Sequence, residues 1–490
     1  MASIKKETIS GAKWGMLQKF TMQPIQLIYG MVLARLISPE EMGIAGLTAI
    51  FFAIASQLSQ AGFGSALIRK IDRTEDDCCT MFWFNVGMSF LVSLILFLLA
   101  PWFTRFYNQP ELLWLTRVSA CNMFIGSTAS VHWTLYSARR DFKTPAIVGS
   151  IVTLAGMPVC LGLAWLGWGV WAIMWQGIFT TLLSLGIVWI ISPWKPRFLF
   201  SKASFLELFG FGSKMACSGI LHILYTNSRT FIIGKFYSPA QLGYYSKGAS
   251  MACMAPDTIC GILGNVIYPV LCTVQNDDER LTSAYRKYMR ITTLGVAWCT
   301  MALIAMANPV IKLMYGTDWL PCVPYLQIVA AGWAATHMST INLNLLMVKG
   351  RSDLFLRLEI IKKTISIAML LYAATISVEA ICWAGAIYCH LAVACNAYFT
   401  GKILGLTWWV QQKDYLPYFL LAAIASIPGF LCTHTTLPII AQLAIGGFSS
   451  LLLYFAPLHF RKDSAYVELF NTLKKSKLGR FIPLRPISIQ

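Results

Sequence analysis

"LISPEEMG" occupies residues 36–43 and "FYSPAQLG" occupies 236–243, each set between long apolar runs. Aligning 32–43 on 232–243 superposes Ser38 on Ser238, Pro39 on Pro239 and Gly43 on Gly243, with a cation at Arg35 and Lys235. Three further pairs follow in the same order. "PWFTRFY" at 101–107 resembles "PVIKLMY" at 309–315, "RRDF" at 139–142 resembles "RSDLF" at 351–355, and Trp171-Ala172 matches Trp383-Ala384. The offsets are 200, 208, 212 and 212 residues, collinear and drifting slowly, as loop insertions would make them. Such a series reads as duplication of a whole structural unit. Each Ser-Pro-x-x-x-Gly reads as a tight turn opening a helix, because Pro fixes φ and suits the first helical position.

The 490-residue chain is 57% hydrophobic and 12% charged, against about 25% charged in a typical soluble domain. Lipid must solvate most of it. Apolar segments long enough for about 30 Å of hydrocarbon fall near 14–37, 42–68, 81–101, 113–135, 146–166 and 169–192. A second series falls near 210–236, 243–271, 291–315, 320–347, 357–377 and 379–401, followed by 416–433 and 437–459. The runs are continuous rather than alternating, which requires helices and excludes a barrel. The first is too long for a signal-peptide core and lacks a small-residue cleavage site, so it reads as a span.

The expected fold is therefore an all-α integral membrane protein with about 14 transmembrane helices. Residues 1–200 form an N-terminal six-helix lobe and 201–410 its repeat, followed by an extra helix pair over 411–460 and a basic tail over 461–490. Six is even, so both copies enter the membrane from the same side, as a parallel repeat.

The net charge of +18 maps onto alternate connections. Lys and Arg number three before residue 14, three in 69–80, three in 136–146, three in 193–209, four in 273–290, five in 348–363 and two in 402–415. Seven more follow residue 459, whereas the intervening connections hold almost none. This alternation is the positive-inside pattern. It predicts a multi-pass protein with both termini cytoplasmic, and leaves no basic domain for nucleic acid. The fourteen cysteines lie mostly inside apolar runs, with no ligand spacing, and read as small apolar residues. No metal or cofactor is expected.

The polar residues inside the spans are the candidate site. Lys19, Gln23, Gln26 and Gly30 share one helical face, and Ser218, His222, Tyr225 and Arg229 repeat that spacing in the seventh segment. Facing lipid would be costly, so cavity lining and inter-helix hydrogen bonding are the two readings. Lys214 joins the stripe cations. Arg35, Lys235, Arg117, Lys247 and Lys312 lie nearer the outer ends, where they either line an outer gate or snorkel. Asp257, after Pro256, either pairs with a cation, takes up a coupling ion, or caps a helix restarted at the proline. His132, His222, His337 and His390 read chiefly as packing residues. "WLGWGVWAIMW" at 165–175 reads as an interfacial aromatic belt.

"LARLISPEEMG", "GFGSALIRK" at 62–70, "APWFTRFYNQPEL" at 100–112 and "IYPVLCTVQNDDERL" at 267–281 resemble the polysaccharide-transporter branch of the multidrug/oligosaccharidyl-lipid/polysaccharide exporter superfamily. Within it, the chain is similar to the Wzx-type flippases of the colanic-acid exporter type, over about residues 10–410. The resemblance implies transport of an undecaprenyl-diphosphate-linked oligosaccharide from the inner to the outer leaflet of a bacterial inner membrane. It implies alternating access through a cationic cavity, with polysaccharide polymerase and chain-length machinery as partners. The segment 416–459 is similar to the extra helix pair of the lipid II flippases.

Two other readings compete with this one on the residues. A multidrug exporter of the same superfamily would favour an acidic cavity for cationic compounds, against the cation-rich spans seen here. A polysaccharide polymerase would need a sizeable outer loop, and the outer connections are short. No phosphate-binding glycine loop or nucleophile triad occurs, so the chain does not read as an enzyme.

Overall fold

A computed structural model of the chain describes residues 21–475, which contain helices and no strand. A first helix covers 21–36, and a short turn leads into Pro39–Gln60. Among the described residues, eight helices are individually long and apolar enough to cross a membrane: Pro39–Gln60, Glu75–Tyr107, Lys143–Trp165, Val170–Ile191, Asp278–Ala305, Val378–Leu404, Trp408–Thr433 and Ile439–Phe460.

Other expected spans are divided. Leu112–Ser127 is followed by Ser130–Ala138, Lys202–Thr226 by Ser228–Phe236, and Val323–Trp333 by Thr336–Val348. Pro39–Gln60 is likewise continued by Phe63–Arg69, and Asp278–Ala305 by Ala307–Met314. One position reverses the expectation: Pro239–Thr273 runs as a single helix through Pro256 and Pro269. Asp257 therefore does not cap a restarted helix.

Packing divides the chain into two compact units, Met1–Gly243 and Tyr244–Gln490. This boundary lies beyond the expected repeat boundary near 200, because Lys202–Thr226 packs on the helices of unit one. The contact is built on a break. Ala61 and Gly62 have φ of 44° and 70°, and they bring the backbone against Gly212. A Cβ on Gly212 would stand 2.8 Å from the Ala61 carbonyl oxygen, and one on Gly62 would overlap the Gly212 carbonyl. Phe63, fully buried, stacks on Phe84 with centroids 4.4 Å apart and packs beside Phe205. Lys70 ties the same helices together, with its Nζ 2.9 Å from both Asp77 and Glu207. Hydrogen bonding to Glu207 and then Asp77 holds the Lys70 ammonium above its ordinary pKa.

Unit two has an apolar core that includes Leu271, Met289, Ala297, Leu345 and Tyr454. A polar network sits inside it. The Tyr285 hydroxyl donates to Asn342 Oδ1 (2.8 Å), Asn342 Nδ2 donates to Gln411 Oε1 (2.8 Å), and Gln411 Nε2 donates to Thr400 Oγ1 (3.0 Å). Inter-helix hydrogen bonds inside a membrane contribute about 0.6 kcal/mol on average. Orphaning a buried partner is more costly, at about 1–3 kcal/mol. Asn342→Leu orphans the Tyr285 hydroxyl and Gln411 Oε1 together. It should lower the unfolding free energy of the purified protein by about 1–3 kcal/mol, measured by denaturant titration. An unchanged midpoint would show that the network has no structural weight.

Candidate functional site

The repeated turn forms the same structure twice. Ser38 caps Pro39–Gln60: its hydroxyl accepts from the Glu41 N–H at 3.3 Å, and Glu41 Oε2 accepts from the Ser38 N–H at 2.9 Å. Ser238 and Gln241 repeat this box at 3.3 and 3.2 Å. A capping box satisfies two of the donors that a helix start otherwise leaves open. The turns then meet. A Cβ on Gly43 would overlap the Pro239 carbonyl oxygen, with its carbon at 2.7 Å and Pro239 Cα at 3.1 Å. A Cβ on Gly243 would overlap the Pro39 carbonyl oxygen, with 2.9 and 3.3 Å to the corresponding atoms. The contact is reciprocal, as between two related elements crossing on a local pseudo-two-fold.

Lys19 lies outside the described residues. On the 21–36 helix Gln23 is half-buried and Gln26 exposed, while the Gly30 position opens on empty space. On Lys202–Thr226 the stripe residues Lys214 and His222 are exposed and Tyr225 is half-buried. A break at Asn227 separates these from the half-buried Arg229, so the continuous helical face expected over 218–229 ends at Tyr225.

The outer cations divide by what holds them. Arg35 is exposed. Lys235 donates to the Phe106 carbonyl at 2.6 Å and sits 3.9 Å from the Phe106 ring centroid. It thus satisfies a carbonyl in the last turn of Glu75–Tyr107, where a cation also suits the helix dipole. Arg117 lies over Phe97 and Trp114, at 4.8 and 5.1 Å. In unit two, Lys247 stands 5.6 Å from the Tyr315 ring, and Lys312 is exposed. Asp257 accepts from Trp333 Nε1–H at 2.8 Å.

Of the four histidines His132, His222, His337 and His390, three pack or hydrogen-bond. His132 Nδ1 is 2.8 Å from Ser192 Oγ, His337 Nε2 is 2.8 Å from Thr293 Oγ1, and His390 Nε2 is 3.2 Å from the Ala331 carbonyl oxygen. His222 remains exposed on its stripe.

Sequence reasoning missed two polar groupings. Tyr29 donates to Gln176 Oε1 at 2.7 Å, joining the first described helix to Val170–Ile191. Asp414, 2% exposed, holds both Arg286 and Arg290. The second was signalled by two arginines four residues apart and a single acid in "WWVQQKDY" at 408–415.

Residues 32–324 match the family model described as "Polysaccharide biosynthesis protein". The succinoglycan biosynthesis transport protein ExoT of Rhizobium meliloti is 25% identical over 317 residues, covering 65% of this chain. The chain spans 64% of ExoT's length, just under two thirds. The lipopolysaccharide biosynthesis protein WzxC of Escherichia coli is 22% identical over 366 residues, 74% of each chain. Among solved structures, the lipid II flippase MurJ in an inward closed conformation superposes with a TM-score of 0.72 over 93% of this chain and 99% of MurJ. At 12% identity, this is a likeness of fold.

The glycine crossing yields a matched test. Gly43→Leu and Gly243→Leu should each destabilise the protein by about 1–3 kcal/mol through overpacking, whereas Gly30→Ala, at an open position, should be neutral. Thermal unfolding of the three variants checks this. Equal midpoints for all three would mean that the crossing is loose.

Proposed function

This chain belongs to the polysaccharide biosynthesis protein family, and from that premise we propose that it is a flippase for an undecaprenyl-diphosphate-linked oligosaccharide. It is a multi-pass membrane protein that acts as a transporter and not as a catalyst. The proposed setting is the bacterial inner membrane with both termini cytoplasmic, and the proposed architecture is two six-helix lobes, 1–200 and 201–410, with the 411–460 pair and a basic tail. The names of ExoT and WzxC, which refer to succinoglycan transport and lipopolysaccharide biosynthesis, agree with a polysaccharide precursor as cargo.

The observation that carries the reading is the cation excess at membrane depth. Lys214 is exposed, with no acid within a helical turn in sequence, and Arg229 is half-buried on the helix that follows. A lipid-linked diphosphate cannot enter hydrocarbon, because burying its charge without partners is prohibitive. Lys19, Lys214 and Arg229 substitute for its hydration, while Gln23, Gln26, His222 and Tyr225 hydrogen-bond the sugars. The polyprenyl tail stays in lipid.

In this reading the crossing of 38–43 with 238–243 marks the outer end, Arg35, Arg117, Lys235 and Lys247 are the gate cations, and alternating access opens it. Each charge moved through 100 mV is worth about 2.3 kcal/mol. Export of two negative charges from a negative interior therefore gains roughly 4–5 kcal/mol, enough without a coupling acid. Asp257 is then the candidate for a coupling ion or an ion pair. Polymerase and chain-length machinery are the proposed receivers of the exported unit.

In a deletion strain, lipid-linked repeat units should accumulate on the cytoplasmic leaflet. Their normal display outside, in a strain with no second flippase, would refute the function. Arg229→Ala should reduce export at least about tenfold, the equivalent of about 1.4 kcal/mol, with unchanged protein in the membrane. Full export by that variant would remove Arg229 from the site while leaving the function standing.

A further inference from the structure

Unit two contains a cavity of about 800 Å³ among the helices Asp278–Ala305, Val378–Leu404 and Ser464–Lys475. It is lined from the basic segments 273–290 and 402–415, at the end read as cytoplasmic. Arg286 and Arg290 line it, and both are anchored from behind. Asp414 accepts from Arg286 Nε at 2.7 Å and Nη2 at 2.9 Å, and from Arg290 Nε at 2.8 Å and Nη2 at 2.5 Å.

One buried carboxylate thus orients two guanidiniums. Their charges exceed its own by one, and each side chain keeps N–H donors on Nη1 beyond those given to Asp414. The rim is balanced internally: Lys287 pairs with Glu468 at 2.6 Å, and Lys349 with Asp278 at 2.5 Å. The one positive charge left over sits on the arginine wall, and Glu279 on the rim offsets it for the cavity as a whole. The exposed Glu279, also lining the cavity, disfavours extended polyanions.

We propose that this cavity binds a single phosphoryl group carrying an organic substituent. Arginines four residues apart on one helix face lie about 5–6 Å from each other at Cβ, a separation that a tetrahedral phosphoryl group bridges, and guanidinium forks match its oxygens bidentately. The Thr282 and Ser283 hydroxyls offer further donors. The volume exceeds that of a bare phosphate ion and falls in the range of organic ligand sites, and Ile403 and Leu404 supply an apolar wall for the substituent. The same chemistry is presented by an anionic phospholipid headgroup and by a soluble phosphate ester. The proposal does not rest on the export reading, because none of these residues belongs to the proposed transport path.

The test uses the full-length protein purified in neutral detergent. One arm offers phosphatidylglycerol, with phosphatidylcholine as control, and reads retained lipid by native mass spectrometry. The other titrates glycerol 3-phosphate and reads thermal stabilisation. Ser283→Glu puts a carboxylate into the cavity from an exposed position and leaves the arginine–Asp414 pairs intact. Arg290→Gln removes one fork.

Binding in either arm, weakened about tenfold or more by both variants, supports the site. The arm that responds names the source: phosphatidylglycerol alone means a membrane lipid, glycerol 3-phosphate alone a soluble ester. No binding in either arm, or binding by Ser283→Glu as tight as by the parent protein, overturns the proposal. If Arg290→Gln fails to fold, Ser283→Glu decides alone.

Discussion

Two helix starts lie so close that only hydrogen fits at Gly43 and Gly243. In lipid there is no hydrophobic drive pulling helices together, because acyl chains are as apolar as leucine; association rests on close packing of small residues and a few hydrogen bonds. That constraint explains why glycines occupy the tightest places here. Gly62 on Gly212 fixes the seventh segment to unit one, and Gly43 with Gly243 fixes the paired turns. The capping boxes at Ser38 and Ser238 complete the arrangement, since a helix start in an apolar phase cannot leave its N–H groups open. Loss of a cap costs roughly 1 kcal/mol, comparable to overpacking at the crossing. Neither interaction dominates the other.

The individual contacts sort the cations behind the net charge of +18. Lys70, Lys235, Lys287, Arg286 and Arg290 are each committed to a named oxygen. Such a cation joins helices, and its charge is partly or wholly offset. Exposed surface ion pairs contribute about 0–1 kcal/mol, so the Lys287–Glu468 pair is a minor tie. Asp414 differs because it is buried. It takes four N–H donors from two arginines, which makes the arginine pair a fixed feature of unit two. Lys214, by contrast, stands exposed on its helix.

The all-helical fold and the repeated turn were legible because both are local. Hydropathy runs report helices in lipid, and Ser-Pro-x-x-x-Gly reports a capped start through proline's fixed φ. The breaks were not legible. A hydropathy run passes smoothly across Ala61-Gly62, Thr128-Ala129 and Asn227, where the backbone departs from the helix for one or two residues. At Ala61-Gly62 the break is enforced by the contact with Gly212, distant in sequence. The same limit worked in reverse at Pro256, where a proline suggested a restart and the helix runs on. Among candidate site residues, Lys235 shows what spacing omits. Its position near a helix end was readable, but not its bond to the Phe106 carbonyl. Asp414 went unseen because loop charges were summed as topology, without asking which of them pair.

How far a cation's charge is already offset bears directly on the proposed export. A cavity group useful to a diphosphate has to attract it and then release it, so its affinity must come from charge not already neutralised by protein. Desolvating an ion without partners costs far more than the roughly 4–5 kcal/mol that a membrane potential returns for two charges. The potential can bias direction, but only protein dipoles and cations can lower the barrier. Lys235, bound to a carbonyl oxygen that has no charge to cancel its own, occupies an intermediate position. It fixes the end of one helix and still projects a full positive charge beside the paired turns.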